Sequence, residues 1–234
     1  MALLIIDAGH THLKFSLYGA GAGPERRVLP VRPFSWPEDL NQANIADEIL
    51  LMGTNDRLQI RLQSHMAQGG WGPVRKLGVD LGVPIELNCS RKETGNDRQA
   101  NALGATRSFP GKEILVVSFG SALVVDRVSA EGALEGGLIG LGRDAYAKAM
   151  ADIRSCLTPG SSDSVFPGKN TSEAVALGWD EPTRHLLNAH GAKAEKIIFT
   201  GGGAEVWREE FPHAQVMPWL GQDAMAEALD YPLQ

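Results

Sequence analysis

Four apolar residues, Leu3 to Ile6, run straight into Asp7; a short polar stretch from Ala8 to His12 follows, and apolar and other residues then alternate through Leu13, Phe15 and Leu17. The pattern predicts a buried strand, a Gly-containing turn and a return strand. Ile114 to Val128 repeats the plan, with an apolar strand, a small polar turn at Gly120 and a second apolar strand. Aligning Gly9 with Gly120 sets Asp7 opposite Ser118 and Thr11 opposite Ala122, with Ser121 one residue short of the hydroxyl position. The chain therefore reads as two similar halves, each opening on a strand–turn–strand. The turn Phe109–Lys112 marks the boundary, dividing residues 1–108 from residues 109–234.

The first half continues with a turn at Ala20–Pro24 and an edge strand from Arg26 to Pro33, limited by its prolines. A helix starts near Trp36 and runs past Leu40, with Ser35 as N-cap and Pro37 in the first turn. Glu48–Thr54 is a short apolar strand, Asp56–Ala67 a helix, Gln68–Pro73 a loop, Arg75–Leu81 a short helix and Pro84–Leu87 a strand. Small and helix-forming residues after Asp97 predict a helix through Ala105. In the second half, Ala133–Gly142 is a Gly-dense strand, Asp144–Leu157 a helix and Thr158–Pro167 a loop. A helix through Glu173 to Ala189 has Thr171 or Ser172 as its cap. Lys196–Thr200 is a buried strand opening on Gly201–Gly203, Val216–Trp219 a last short strand and Gln222–Tyr231 a closing amphipathic helix.

Composition narrows the class. A length of 234 residues, 43% hydrophobic and 21% charged, suits a soluble globular protein of two small domains. A net charge of −6 without a basic tract argues against nucleic acid as partner. Cys89 and Cys156 are far apart and in no metal-ligand spacing, which predicts reduced thiols in a cytoplasm. The opening Met-Ala-Leu-Leu-Ile-Ile-Asp lacks a basic region, and its apolar run is too short for a signal peptide or a membrane span. A core strand is expected there, with no membrane as partner.

Three stretches carry chemistry. The first turn gathers Asp7, Gly9, Thr11 and Lys14: a carboxylate at a strand end for a metal ion or its waters, a glycine that lets backbone N–H groups approach an anion, a hydroxyl and a cation. The plain alternative is a hairpin with a polar tip. Thr94-Gly-Asn-Asp-Arg98 places Asp97 and Arg98 near a helix N-terminus, where anions are favoured and a carboxylate could bind and deprotonate a hydroxyl. The alternative is Asn96 or Asp97 as a simple N-cap beside an exposed arginine. Gly201–Gly203, after a buried strand, would let an adenine, ribose or phosphate lie against backbone, although tight turns use glycine routinely. Neither a dinucleotide fingerprint nor a Walker A sequence occurs.

In order, Asp7-Ala-Gly-His-Thr with Lys14, Gly95-Asn-Asp-Arg98, Ser118-Phe-Gly-Ser-Ala122, Gly136-Gly-Leu-Ile-Gly-Leu-Gly142, Gly168-Lys-Asn-Thr171 and Thr200-Gly-Gly-Gly203 resemble the type III pantothenate kinases of the acetate and sugar kinase/Hsp70/actin superfamily. The resemblance implies an α/β fold of two RNase H-like, actin-like ATPase domains, each a mixed sheet flanked by helices, with a nucleotide cleft between them. It implies ATP-dependent phosphorylation of pantothenate, the first step of coenzyme A biosynthesis, by a cytoplasmic homodimer that uses Mg²⁺ and a monovalent cation such as K⁺ or NH₄⁺. Asp97 matches the catalytic base, and Gly95, Asn96, Arg98 and Thr171 fall at substrate-holding positions. Asp7, Ala8, Gly9, His10, Thr11 and Lys14 match the first phosphate hairpin, with Asp7 holding Mg²⁺ through water; Gly120 and Ser121 match the second hairpin, and Gly201 and Gly202 the nucleotide turn.

The sequence also departs from the family pattern. His10 replaces an asparagine, Ser121 a threonine, Leu141 a proline, and Asn88 stands about where a tyrosine is usual. Ser118 replaces the aspartate that ligates the monovalent cation, and a neutral hydroxyl is a poor substitute on a hard cation. The alternative these changes raise is a weak or inactive paralogue acting as a regulatory accessory protein.

Overall fold

A computed structural model describes residues 1–19, 22–31, 45–160, 164–231 and 233. The helix start expected around Ser35–Leu40 and the strand end expected at Pro33 lie outside the described residues. In chain order the elements are β1 (Leu3–Ala8), β2 (His12–Gly19), β3 (Ala22–Pro30), β4 (Glu48–Met52), α1 (Asp56–Gln68), β5 (Val74–Lys76), β6 (Glu86–Leu87), α2 (Asn96–Ser108), β7 (Ile114–Phe119), β8 (Ala122–Val128), β9 (Ala133–Leu141), α3 (Arg143–Ile153), α4 (Thr171–Gly191), β10 (Lys196–Thr200), β11 (Gln215–Val216) and α5 (Leu220–Ala228). The chain divides into two compact units, one of Met1–Ser108, Gly132–Leu134 and Trp219–Gln234, the other of Phe109–Glu131 and Glu135–Pro218.

The first unit is built on β1. Leu3 to Ile6 are buried on both faces, which is why the run is continuous rather than alternating. β2 returns antiparallel to β1 and β3 antiparallel to β2, while β4 lies parallel on the other side of β1 and β5 parallel to β4, giving the order β3-β2-β1-β4-β5. Leu58, Leu62 and Met66 fall at helical spacing on α1 and join Leu4, Ile6, Ala8, Leu13, Phe15, Ile49 and Leu51 in one core. α2 buries small residues instead, and that lets α5 come close. A Cβ added at Gly104 would meet Leu220 Cδ1 at 2.7 Å, and one at Gly221 would meet Asn101 Oδ1 at 2.7 Å.

Two local expectations fail here. Of the turn expected at Ala20–Pro24, Ala22–Pro24 is instead the start of β3, since Ala22 pairs with Gly19 and Glu25 with Leu17, and Ala20 and Gly21 lie outside the described residues. Arg75–Leu81 is not a helix: Val74–Lys76 pairs with Ile49–Leu51 as a parallel strand, and Gly78 then takes a φ of +86° in a tight turn that bridges Leu77 to Leu81. Pairing with β4 overrides the weak helical preference of a short segment.

The second unit repeats the plan. β8 is antiparallel to β7, β10 parallel to β7 on the other side and β11 parallel to β10, so the order is β9-β8-β7-β10-β11. Read outward from the opening strand, this is the order of the first unit, the RNase H-like arrangement expected from the repeated strand–turn–strand. β6 pairs parallel with Ala133 and Leu134, the residues of β9 that belong to the first unit. An aromatic core fills the second unit: Phe119 stacks on Trp207 at 5.9 Å between centroids and meets Phe199 edge-on at 5.2 Å. α3 stops at Ile153 instead of Leu157, with Arg154 extended at its C-cap. The α4 cap is Asn170 rather than Thr171 or Ser172: Asn170 Oδ1 accepts from Glu173 N at 3.0 Å, and Glu173 accepts back from Lys169 N and Asn170 Nδ2. Among the described residues no helix is long and apolar enough to cross a membrane.

Candidate functional site

Strand register assembles the first group of side chains. Asp7 and Lys14 face each other across β1 and β2, so the carboxylate and the ammonium rise from the same face of the sheet. Burial pushes the Asp7 carboxyl up to about 6; Lys14 opposes that rise and the charge of Asp97 adds to it. Burial likewise pushes the Lys14 ammonium below its ordinary value, with Asp7 holding it up. Desolvation thus outweighs a pairing that would favour both charges. Gly53 links the α2 start to this hairpin: its N–H donates to Asn96, the neighbour of Asp97, and a Cβ on it would lie 2.6 Å from Asp7 Oδ1.

The α2 start is locked by backbone contacts. Asn96 does not cap its own helix: Oδ1 accepts from Gly53 N at 3.0 Å and Nδ2 donates to Leu77 O at 3.0 Å. Asp97 is half-buried, and its Oδ1 accepts from Arg98 N at 2.9 Å. A side chain at Gly95 would displace the Asp97 carboxylate, since a Cβ there would meet Asp97 Oδ1 at 2.5 Å. Gly53, which follows β4, has a φ of +101°, and a Cβ on it would lie 2.6 Å from both Asp7 Oδ1 and Ala8 O. Asn55 caps α1 through Leu58 N, donates Nδ2 to Gly9 O at 3.1 Å and donates its backbone N–H to Ala8 O. Gly53 and Asn55 were not among the expected site residues. Their one signal was the Gly-Thr-Asn-Asp run directly after an apolar strand.

Two details correct the expected phosphate cradle. Gly9 N donates to His12 O at 3.1 Å and Gly120 N to Ala122 O at 3.1 Å, so both glycine N–H groups close their own hairpins. The exposed tips are His10 and Thr11 in the first hairpin and Ser121 in the second. Ser118 occupies in β7 the next-to-last place that Asp7 occupies in β1, and Thr200 of β10 pairs with it. The second tip has two residues where the first has three, which accounts for the offset between Ser121 and Thr11. Gly142 sits against this tip, where a Cβ would lie 1.9 Å from Gly120 O. Gly201, at φ +87°, packs on Phe119 O, while Gly202 is exposed with nothing near its missing Cβ. Thr171 is exposed at the first residue of α4, and Arg98 is half-buried.

Among the described residues no group of three or more His, Cys, Asp or Glu could cage a metal ion. Asp7 nevertheless suits one. Its carboxyl is held near 6 by burial and by a second carboxylate, a state that a nearby cation relieves. One carboxylate with waters and substrate phosphates is the usual way of holding Mg²⁺. Ser118 supplies a neutral oxygen and no charge for a monovalent ion.

A family model for the type III pantothenate kinases matches residues 3–181. A type III pantothenate kinase of Porphyromonas gingivalis is 32% identical over 139 residues, a stretch that spans 55% of this chain and 57% of that protein. One from Burkholderia ambifaria is 24% identical over 257 residues, covering 95% of this chain and 92% of the relative. Among solved structures, a Campylobacter jejuni protein described as a Baf family transcriptional activator aligns with a TM-score of 0.67 at 19% identity, over 97% of both chains. A Sinorhizobium meliloti protein described as a 2-dehydro-3-deoxygalactonokinase aligns with a TM-score of 0.59 at 12% identity, over 97% of this chain and 95% of that one. The two structural likenesses speak for the fold alone, which is that of the actin-like sugar kinases. With the fold, the repeated hairpins and the family match over residues 3–181 in agreement, the chain belongs to the type III pantothenate kinase family.

Proposed function

We propose that this chain transfers the γ-phosphoryl group of ATP to the primary hydroxyl of pantothenate, making 4′-phosphopantothenate at the first step of coenzyme A biosynthesis. The observation that carries the reading is the pairing of Asp7 with Lys14 across one hairpin, with Gly53 packed on the Asp7 carboxylate and held by Asn96, the residue before Asp97. Phosphoryl transfer is mainly positioning and charge neutralisation. Asp97 takes the proton of the attacking hydroxyl. Gly95, Arg98 and Thr171 hold the acceptor, and Asn96, with both ends of its amide on backbone, positions Asp97 instead of touching substrate. Lys14, Thr11, His10 and Ser121 meet the phosphates, with Gly201 and Gly202 against the nucleotide. Asp7 would hold Mg²⁺ through water, and the ion would supply charge neutralisation to the phosphates. The sequence division into residues 1–108 and 109–234 is proposed as the pair of functional halves. The proposal carries a cytoplasmic homodimer with a weak or absent dependence on K⁺, since Ser118 brings no charge.

The test is product analysis after incubation with ATP, Mg²⁺ and pantothenate, in K⁺ and in Na⁺, beside calorimetry with each substrate. Phosphopantothenate formed in both salts is the expected result. ATP binding without that product would point to another acceptor. Binding of neither substrate would favour the accessory-protein reading.

A further inference from the structure

α5 lies beyond residue 181, where the family match ends, yet the side chains at its start converge on β2. Gln222, 3% exposed, donates Nε2 to Lys14 O at 3.3 Å and accepts from the hydroxyl of Ser16, itself fully buried. Asp223 accepts from Tyr18 Oη at 2.8 Å and from Arg26 Nη2 at 2.7 Å. Trp219, half-buried just before the helix, has Lys14 Nζ 5.5 Å from its ring centroid and Arg26 Cζ 5.3 Å from it.

The strand fixes only the Cα of Lys14. Its four-carbon stem has many rotamers, so something must choose where the ammonium goes. Asp7 stands opposite it on β1, and its carboxylate is the charge that acts on the ammonium. Asp223 already accepts from Tyr18 and Arg26, and Arg26 on the same ring repels a second cation from that side. The face of the indole attracts the Lys14 ammonium, 5.5 Å from the ring centroid.

We propose that Trp219 is a positioning residue for Lys14: its ring holds the ammonium on the Asp7 side of the hairpin, in the orientation that meets the phosphates of a bound nucleoside triphosphate. The proposal rests on the phosphate-binding role given above to Lys14. The close fit of α5 on α2 at Gly104 and Gly221 fixes Leu220, the residue directly after Trp219, and so anchors the indole from the helix side.

The test compares Trp219→Leu, Trp219→Phe, Lys14→Met and the double variant Lys14→Met/Trp219→Leu by calorimetric binding of ATP with Mg²⁺ and of pantothenate, with KM and kcat alongside. Trp219→Leu should weaken ATP binding about 3- to 10-fold, the size of a partly desolvated cation–π contact. Pantothenate binding should stay unchanged, and Trp219→Phe should recover most of the loss. The double variant should bind ATP no more weakly than Lys14→Met alone, since Trp219 acts through that lysine. Unchanged ATP binding in Trp219→Leu, equal losses for ATP and pantothenate, or losses that add to those of Lys14→Met would overturn the proposal. If Lys14→Met itself leaves ATP binding unchanged, the role of Lys14 fails and takes this proposal with it.

Discussion

The raised carboxyl of Asp7 makes a quantitative prediction for Asp7→Asn. In the unfolded chain an aspartate titrates near 3.8; in the fold burial moves it to about 6. The native protein therefore prefers the proton. Well below pH 3.8 both states are neutral and the group costs nothing. Between there and pH 6 the unfolded chain ionises while the native one resists, so stability from this group is lost as pH rises and the loss is complete above 6. The gap from 3.8 to about 6, at about 1.4 kcal/mol per pH unit, corresponds to about 3 kcal/mol. Asparagine stays neutral throughout. Urea unfolding of both proteins at a series of pH values, without divalent cation, should show the variant gaining on the wild type by about 2.4 kcal/mol between pH 4 and 7. Mg²⁺ with ATP should erase much of that advantage, because it stabilises the ionised aspartate of the wild type. A stability difference that stays flat over the window would refute a desolvated Asp7.

Further variants probe the loops around it. Asn96→Ala orphans Gly53 N and Leu77 O, and should cost about 2 kcal/mol in urea unfolding while lowering kcat more than it raises either KM. Gly53→Ala meets both a left-handed backbone and contacts at 2.6 Å with Asp7 and Ala8; thermal melting should show a loss well above 1 kcal/mol and calorimetry a weaker affinity for ATP. Gly202→Ala, exposed with open space around it, is the control and should stay within about 0.5 kcal/mol of wild type.

What could be read from the chain was what depends on local pattern. The buried run of β1, the echo in β7 and the two-halved fold follow from apolar runs that stop at a polar turn. The matching strand orders bear that out. Segments whose state is decided by a distant partner were not legible. Val74–Lys76 becomes a strand only because β4 offers an open side, and Ala22–Pro24 only because β2 extends to meet it. The functional loops show the same limit. Asp7 and Lys14 could be paired from hairpin spacing, but nothing near Asn96 in sequence announces that its amide reaches Gly53 and Leu77. Asn55 resembles any helix cap until its second amide hydrogen bond, to Gly9 O, is seen. Trp219 looked like the end of a short strand; it is instead the residue that meets Lys14. Its contact spans the length of the chain, where no periodicity carries information.

The claim at the centre is that the carboxylate of Asp97 removes the proton of the attacking hydroxyl, and the turnover of Asp97→Asn tests it most directly. Phosphopantothenate formation at saturating ATP and pantothenate should fall about 10²- to 10⁴-fold, with calorimetric ATP binding within a few-fold of wild type. Turnover that matches the wild type would contradict the account and leave α2 a structural helix start.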